Sequence, residues 1–368
     1  MRKFVRIMLL TAVAGGVLTA GPVHAGDRGL TLSEFTVDEK ALCELRDQWI
    51  DDLLAKHEPG TWAKMDFELT DEQLRSVGLP SADVLRAGDF SKPTLVTQGG
   101  DYVDVPLEDL EAATVASFGG TGCLGIRPGA LLLSVTSSSI GWCTLAHAYG
   151  APGSYDISTA GHCGKSGEAA TVIAGMGNRG DATGVVLLDF GRYASSVDGG
   201  LGNDHALIDI DAAYQGLVTP TMCFWGGPRG RYDSTGAVVG VAFKGNSLFP
   251  EVTLTPNPAL AQTVVHYGHG TGIGAGGTPR VGEAIAWGQN HFMFTGAITP
   301  GDSGSGANTL TGDAVGDNME AAGIITHIWV DGLMRDGIGI MGGTRASLVG
   351  TPANGQIVPW PAPIAGLP

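Results

Sequence analysis

Ala182-Thr183-Gly184-Val185-Val186-Leu187-Leu188-Asp189-Phe190 is the stretch on which the fold class turns. It is a short apolar run, broken off by turn-forming residues and without a helical period beyond two turns, so it reads as a β-strand. The same reading applies to Ala130 to Val135, Ala237 to Phe243, Thr263 to Tyr267, Val281 to Trp287 and Ala321 to Val330. About a dozen such strands without intervening helices indicate an antiparallel sandwich or barrel rather than βαβ units. The closing Val358-Pro359-Trp360-Pro361-Ala362-Pro363 reads as a tail, because each proline lacks the donor that a ladder needs.

Upstream of residue 119 the pattern changes. Residues 26–118 carry 20 acidic and 8 basic side chains, whereas 119–368 carry 17 and 10, so most of the negative charge lies in the smaller part. Thr36-Val37-Asp38-Glu39 reads as a capping box opening a helix. Leu42, Leu45, Trp49, Ile50, Leu53 and Leu54 then recur at three- and four-residue spacings, which predicts one apolar stripe on a helix ending near His57, before Pro59-Gly60. Residues 26–118 are therefore expected to form a small mixed region, either an accessory domain kept in the product or a pro-region.

Glycine numbers 59 of 368 residues with no Gly-X-Y period, which excludes collagen and favours a fold dense in turns. Lysine and arginine number 21 against 37 aspartates and glutamates, so no broad basic surface is available for nucleic acid or anionic lipid. Residues 1–25 have the pattern of a signal peptide: Arg2, Lys3 and Arg6, an apolar run from Ile7 to Thr19, and the small-x-small site Val23-His24-Ala25. Export from a bacterium is the expectation, without membrane association of the product, since no other stretch reaches the ~18 apolar residues of a span.

Three segments carry chemistry: Ser158-Thr159-Ala160-Gly161-His162-Cys163-Gly164, Asn203-Asp204-His205-Ala206-Leu207-Ile208-Asp209 and Thr299-Pro300-Gly301-Asp302-Ser303-Gly304-Ser305-Gly306. A serine hydroxyl is a weak nucleophile until a base takes its proton, and an imidazole, ordinarily titrating near ~6.5, suits that task at neutral pH. A carboxylate on the far ring nitrogen fixes the tautomer and stabilises the imidazolium that forms. Ser303, His162 and Asp204 fill these roles, with Asp189 as the rival acid. The glycines around Ser303 permit a turn whose amides converge on an oxyanion.

Thr159 to Cys163 and Gly301 to Gly306, in the order His, Asp, Ser, resemble the signatures of the chymotrypsin-like serine proteases, most closely their secreted bacterial branch. The resemblance covers about 119–350. It implies an all-β fold of two antiparallel six-stranded barrels, with residues 119–368 as the protease domain and residues 26–118, pro-region or accessory domain, before it. It also implies a secreted serine endopeptidase acting on proteins or peptides, with no cofactor, and the pro-region as an intramolecular partner. By the same resemblance the oxyanion donors are the amides of Gly301 and Ser303, and Asp302 forms an internal ion pair. Ala297 lies at the base of the specificity pocket, and Thr326, His327 and Ile328 form its edge. Without a carboxylate at 297, small or medium apolar side chains are favoured over lysine or arginine. A catalytically inactive binding protein on the same fold is the alternative.

The resemblance also pairs Cys143 with Cys163, leaving Cys123 with Cys223 and an odd Cys43 that removal of a pro-region would discard. Val265 to Gly272 resembles an element that bacterial members carry upstream of the serine. Gly272-Ile273-Gly274-Ala275-Gly276-Gly277 mimics a nucleotide-binding loop, but a strand-like run follows where a helix is required. His266 and His269 lack the partners of a zinc motif, so no metal is expected.

Overall fold

The computed structural model describes residues 23–25, 30–33, 35, 39–65, 68–116, 124–222, 226–238, 257, 259–268, 278–297, 301–310, 319–331, 334, 338–349 and 356–360. Residues 1–22 of the expected signal peptide, the capping residues Thr36 to Asp38, the pair Cys123 and Cys223, and most of the run Ala237 to Phe243 lie outside them. In chain order, the N-terminal part holds β1 (Val23–Ala25), β2 (Leu30–Ser33), α1 (Glu39–Lys56), β3 (Trp62–Lys64), α2 (Asp71–Ser76), α3 (Ala82–Ala87), β4 (Thr94–Thr97), β5 (Tyr102–Asp104) and α4 (Leu107–Ala116). Then follow β6 (Leu131–Val135), β7 (Ile140–Thr144), β8 (Ala148–Ala151), β9 (Ser154–Thr159), β10 (Ala169–Arg179), β11 (Ala182–Asp198) and β12 (Asp204–Ile210). The last group is β13 (Gly236–Ala237), β14 (Thr263–Gly268), β15 (Thr278–Trp287), β16 (His291–Ala297), β17 (Gly306–Leu310), β18 (Met319–Trp329) and β19 (Ile338–Arg345).

The chain is all-β in its larger part and forms the expected pair of antiparallel assemblies. In the second, β15, β14, β17, β18, β19 and β16 pair in that order and β16 returns to β15, closing a six-stranded barrel. In the first, β6, β10, β11, β12, β9 and β8 are neighbours and β7 pairs with β6. The ring is completed by the stretch joining β7 to β8, where Ala146 N–H donates to Ser158 O and Ser158 N–H donates to His147 O. Closure removes the open edges that invite aggregation. The C-terminal segment is more than a tail: Gly150 N–H donates to Gln356 O and Val358 N–H to Ala148 O, because the residues between the prolines keep their donors.

The opening run owes its unbroken apolarity to two cores. Val186 and Leu188 face the first barrel's interior, with Leu132, Val172, Phe190 and Ile208. Val185 and Leu187 face the other way, into a cluster shared with Leu45, Leu79, Leu85 and Phe90 of the N-terminal part. A strand covered on both faces loses the alternation of a half-solvated one. The N-terminal part also extends the sheets, β2 against β10, β4 against β11, and β3 against β18. Helix α1 ends at Lys56 and buries Leu45, Trp49, Ile50 and Leu53, as the stripe predicted. Helix α2 starts with a capping box the sequence reading missed, Thr70 Oγ1 accepting from Gln73 N–H and Gln73 Oε1 from Thr70 N–H.

Candidate active site

His162 sits in a single 3-10 turn, Gly161–Cys163, directly after β9. The Cys143–Cys163 disulfide, spanning 20 residues, ties that turn to β7, a closure that stabilises by about 3 kcal/mol. Cys43 is half-buried and outside any disulfide. Asp204 opens β12 and is fully buried. Its Oδ2 accepts from His162 Nδ1–H at 2.6 Å, and its Oδ1 accepts from the backbone N–H groups of Gly161 (2.6 Å) and His162 (3.1 Å). The rival Asp189 lies elsewhere on β11, accepting from the Thr171 hydroxyl at 2.6 Å. Burial pushes the Asp204 carboxyl up, but the His162 hydrogen bond and the charges of His162 and His327 outweigh it and hold the group below the usual carboxylate range.

Ser303 comes from the second barrel, in the turn before β17, and its hydroxyl hydrogen-bonds to His162 Nε2. Asp204, His162 and Ser303 thus form one continuous hydrogen-bonded line across the seam between the barrels. Two threonines fix that seam. Thr144 N–H donates to Ser303 O and its hydroxyl to Gly301 O, both at 2.7 Å, while Thr344 Oγ1 accepts from Asp204 N–H and donates to Asp204 O. Neither was singled out from the sequence, since a threonine's role here follows from which strand ends meet. Gly304 has φ +88°, and a Cβ there would lie 2.2 Å from Thr144 O, so both conformation and space require glycine. Among the described residues, neither the Gly301 nor the Ser303 amide donates a hydrogen bond.

Asp302 points away from this line and forms a fully buried ion pair with Arg280 of β15. Gly268 makes room for it, since a Cβ there would lie 2.2 Å from Asp302 Oδ1. Arg280→Met is expected to destabilise the fold by about 3–5 kcal/mol, because it strips the cation from a carboxylate that water cannot reach. Urea unfolding of the variant checks this, and a loss under about 1 kcal/mol, a surface-pair value, would refute it.

Of the expected pocket residues, Ala297 ends β16 opposite Ile338, and the residues linking it to the Ser303 turn lie outside those described. Thr326, His327 and Ile328 lie together on β18, all buried. His327 turns toward the buried acid: its Nδ1 is 3.9 Å from Asp204 Oδ2 and 2.7 Å from Thr326 Oγ1. Burial pushes its imidazole down to about 4, against the pull of the Asp204 charge, so it is neutral at neutral pH. Beside His162, on the first barrel, lies a cavity of about 700 Å³ walled by Glu68, Trp142, the disulfide, Lys165 and Asp198. Cys143, His162 and Cys163 have ligand atoms within 4.8 Å of one another, but both sulfurs are spent in the disulfide, which leaves no metal-binding set there.

No protein-family model matches the chain, and no curated protein matches it. Among solved structures it is similar to protease A of Thermobifida fusca, at 18% identity over 61% of this chain and 91% of that one, with a TM-score of 0.32. It is also similar to a Nocardiopsis protease, at 21% identity over 61% and 93%, with a TM-score of 0.28. Likeness at this level leaves the chemistry to the side chains themselves. Among the described residues no helix is long and apolar enough to cross a membrane.

Proposed function

We propose that the chain is a serine endopeptidase in which Ser303 is the nucleophile, His162 the general base and then acid, and Asp204 the residue orienting it. The observation that carries this reading is the unbroken line from Asp204 through His162 to Ser303, assembled from two barrels. Ser303 Oγ attacks the peptide carbonyl as its proton passes to His162 Nε2, and the free Gly301 and Ser303 amides receive the oxyanion. The proton then goes to the departing amine, and water repeats the sequence on the acyl-enzyme. Thr326, His327, Ile328 and Ala297 would line the specificity side, favouring small or medium apolar side chains. Export as a precursor with residues 26–118 as a pro-region belongs to the same proposal.

One observation favours a second reading, an inactive binding protein: Ser303 is 0% exposed. Fluorophosphonate treatment separates the two. Ser303 is expected to take up a single phosphonyl group, located by peptide mass spectrometry, and Ser303→Ala none. Absence of the adduct from the intact chain and from chain nicked by brief proteolysis would sink the protease reading.

A further inference from the structure

The chain's own N-terminal part runs along the strand edge beside the Ser303 turn. The edge of β18 first serves the nucleophile turn: Gly304 N–H donates to Ile325 O, and Ile325 N–H donates to Ser305 O. From the next residue onward the same edge is taken by β3. Met65 N–H donates to Thr326 O, Lys64 pairs with His327, Ala63 with Ile328 and Trp62 with Trp329, all antiparallel, and Val330 N–H donates to Thr61 O. Met65 therefore stands one ladder step from the turn that carries Ser303, and it is 0% exposed.

The side chains are held as well. The Trp62 indole meets Trp329 edge-on at 5.4 Å and lies over Gly342, where a Cβ would approach it to 3.1 Å. Lys64 reaches across to the first barrel and pairs with Asp198 at 2.6 Å. Three residues past Met65, Glu68 bridges Gly141 of β7 and Leu69 N–H donates to Ile140 O. That strand leads directly to Thr144, which holds Ser303 O. One stretch of chain thus pairs with the second barrel up to Met65 and with the first barrel from Glu68.

An extended segment that adds a strand to an open edge, with its side chains in fitted places, is how a peptide ligand binds a sheet. We propose that Trp62–Met65 is a substrate-like strand held in cis, which occupies the acyl side of the cleft and keeps the enzyme inactive. The inference rests on the serine-protease reading. It also states what the edge from Thr326 to Val330 recognises: an extended peptide with an unbranched apolar side chain at the Met65 place, an aliphatic amine before it and an aromatic ring three residues back. Restraint is intramolecular, so even a weak strand contact competes with substrate at high effective concentration.

The test compares fluorophosphonate labelling rates at Ser303 in the full chain, Met65→Pro and Lys64→Glu, with Ser303→Ala as control and circular dichroism to check folding. Met65→Pro deletes the donor to Thr326 O, and Lys64→Glu sets two like charges against each other on an exposed pair, so the second variant retains the fold should the first lose it. Labelling is expected to rise about tenfold in Met65→Pro and severalfold in Lys64→Glu, as the fraction of open cleft grows. Equal rates in all three forms, with Ser303→Ala unlabelled, overturn self-inhibition and leave the nucleophile assignment standing. No adduct at Ser303 in any form overturns the protease reading and this inference with it.

Discussion

On the serine-endopeptidase reading, replacing Ser303 by Ala is expected to lower kcat about a million-fold, and adding His162→Ala is expected to lower it little further. The reason is geometric. Ser303 Oγ and His162 Nε2 share one proton path, so once either end is missing the other has nothing to act on. What survives is the oxyanion turn, whose shape depends on Thr144, Gly304 and the Asp302–Arg280 pair rather than on the triad. That turn should keep a residual acceleration of roughly a thousand-fold over water. Steady-state kinetics on one peptide substrate, with singles and double compared in chain nicked by brief proteolysis, decides it. A double variant much slower than either single, or singles only about tenfold impaired, would mean that the two side chains do not work as one unit.

Acidification from pH 7 to pH 4 is expected to destabilise the fold by about 6 kcal/mol through two buried histidines. His147 is buried between the barrels with its Nε2–H donating to Gly323 O at 3.1 Å, and burial pushes it down to about 4. His327 is pushed to about the same value. A histidine in the unfolded chain takes a proton near ~6.5 while its folded counterpart refuses it until about 4, so the unfolded state gains protons throughout that window. Stability therefore falls as pH drops through it, by about 3 kcal/mol per residue, and levels off below.

His205 and His266, also held low by burial, act in the same direction. Asp204, held below its ordinary range, adds stability that is lost only at lower pH, as its folded form protonates. Asp189 and Glu320, raised by burial, oppose the trend in part. Urea midpoints at pH 7 and 4.5 measure the slope, and His147→Gln should flatten it. A midpoint that does not move with pH, or the same slope in His147→Gln, would contradict the assignment.

The strands and the candidate-site motifs could be read from the sequence because both are local. A run such as Val185 to Leu188 states its own structure, and Gly161-His162-Cys163 carries its chemistry within three residues. Asp204 was preferred to Asp189 only by resemblance, since both open or sit in apolar runs; the physical ground, the register of β12 beside β9 that brings Asp204 to His162, is not written in either segment. The Asp302 partner was out of reach for the same reason. Arg280 precedes it by 22 residues on another strand. Strand β3 was the most hidden element: three residues, Trp62-Ala63-Lys64, have no pattern of their own and become a strand only because β18 offers an edge.

The double burial of the first barrel's wall constrains how this protein can mature. Leu131, Leu133, Ile140, Trp142, Ile173, Val185 and Leu187 belong to the cluster that the N-terminal part completes. If residues 26–118 departed, these side chains would meet water as one patch of the size that drives association, and each would forfeit roughly 1.5–3 kcal/mol of burial. Cutting the chain near Met65 would free the cleft without uncovering that wall, provided the helices stay seated. On the serine-endopeptidase reading, a nicked two-piece form that keeps its N-terminal fragment as a coat is therefore lower in free energy than a bare 119–368 fragment, so the pro-region would act by being cut rather than shed, and a purified active form should still contain both pieces.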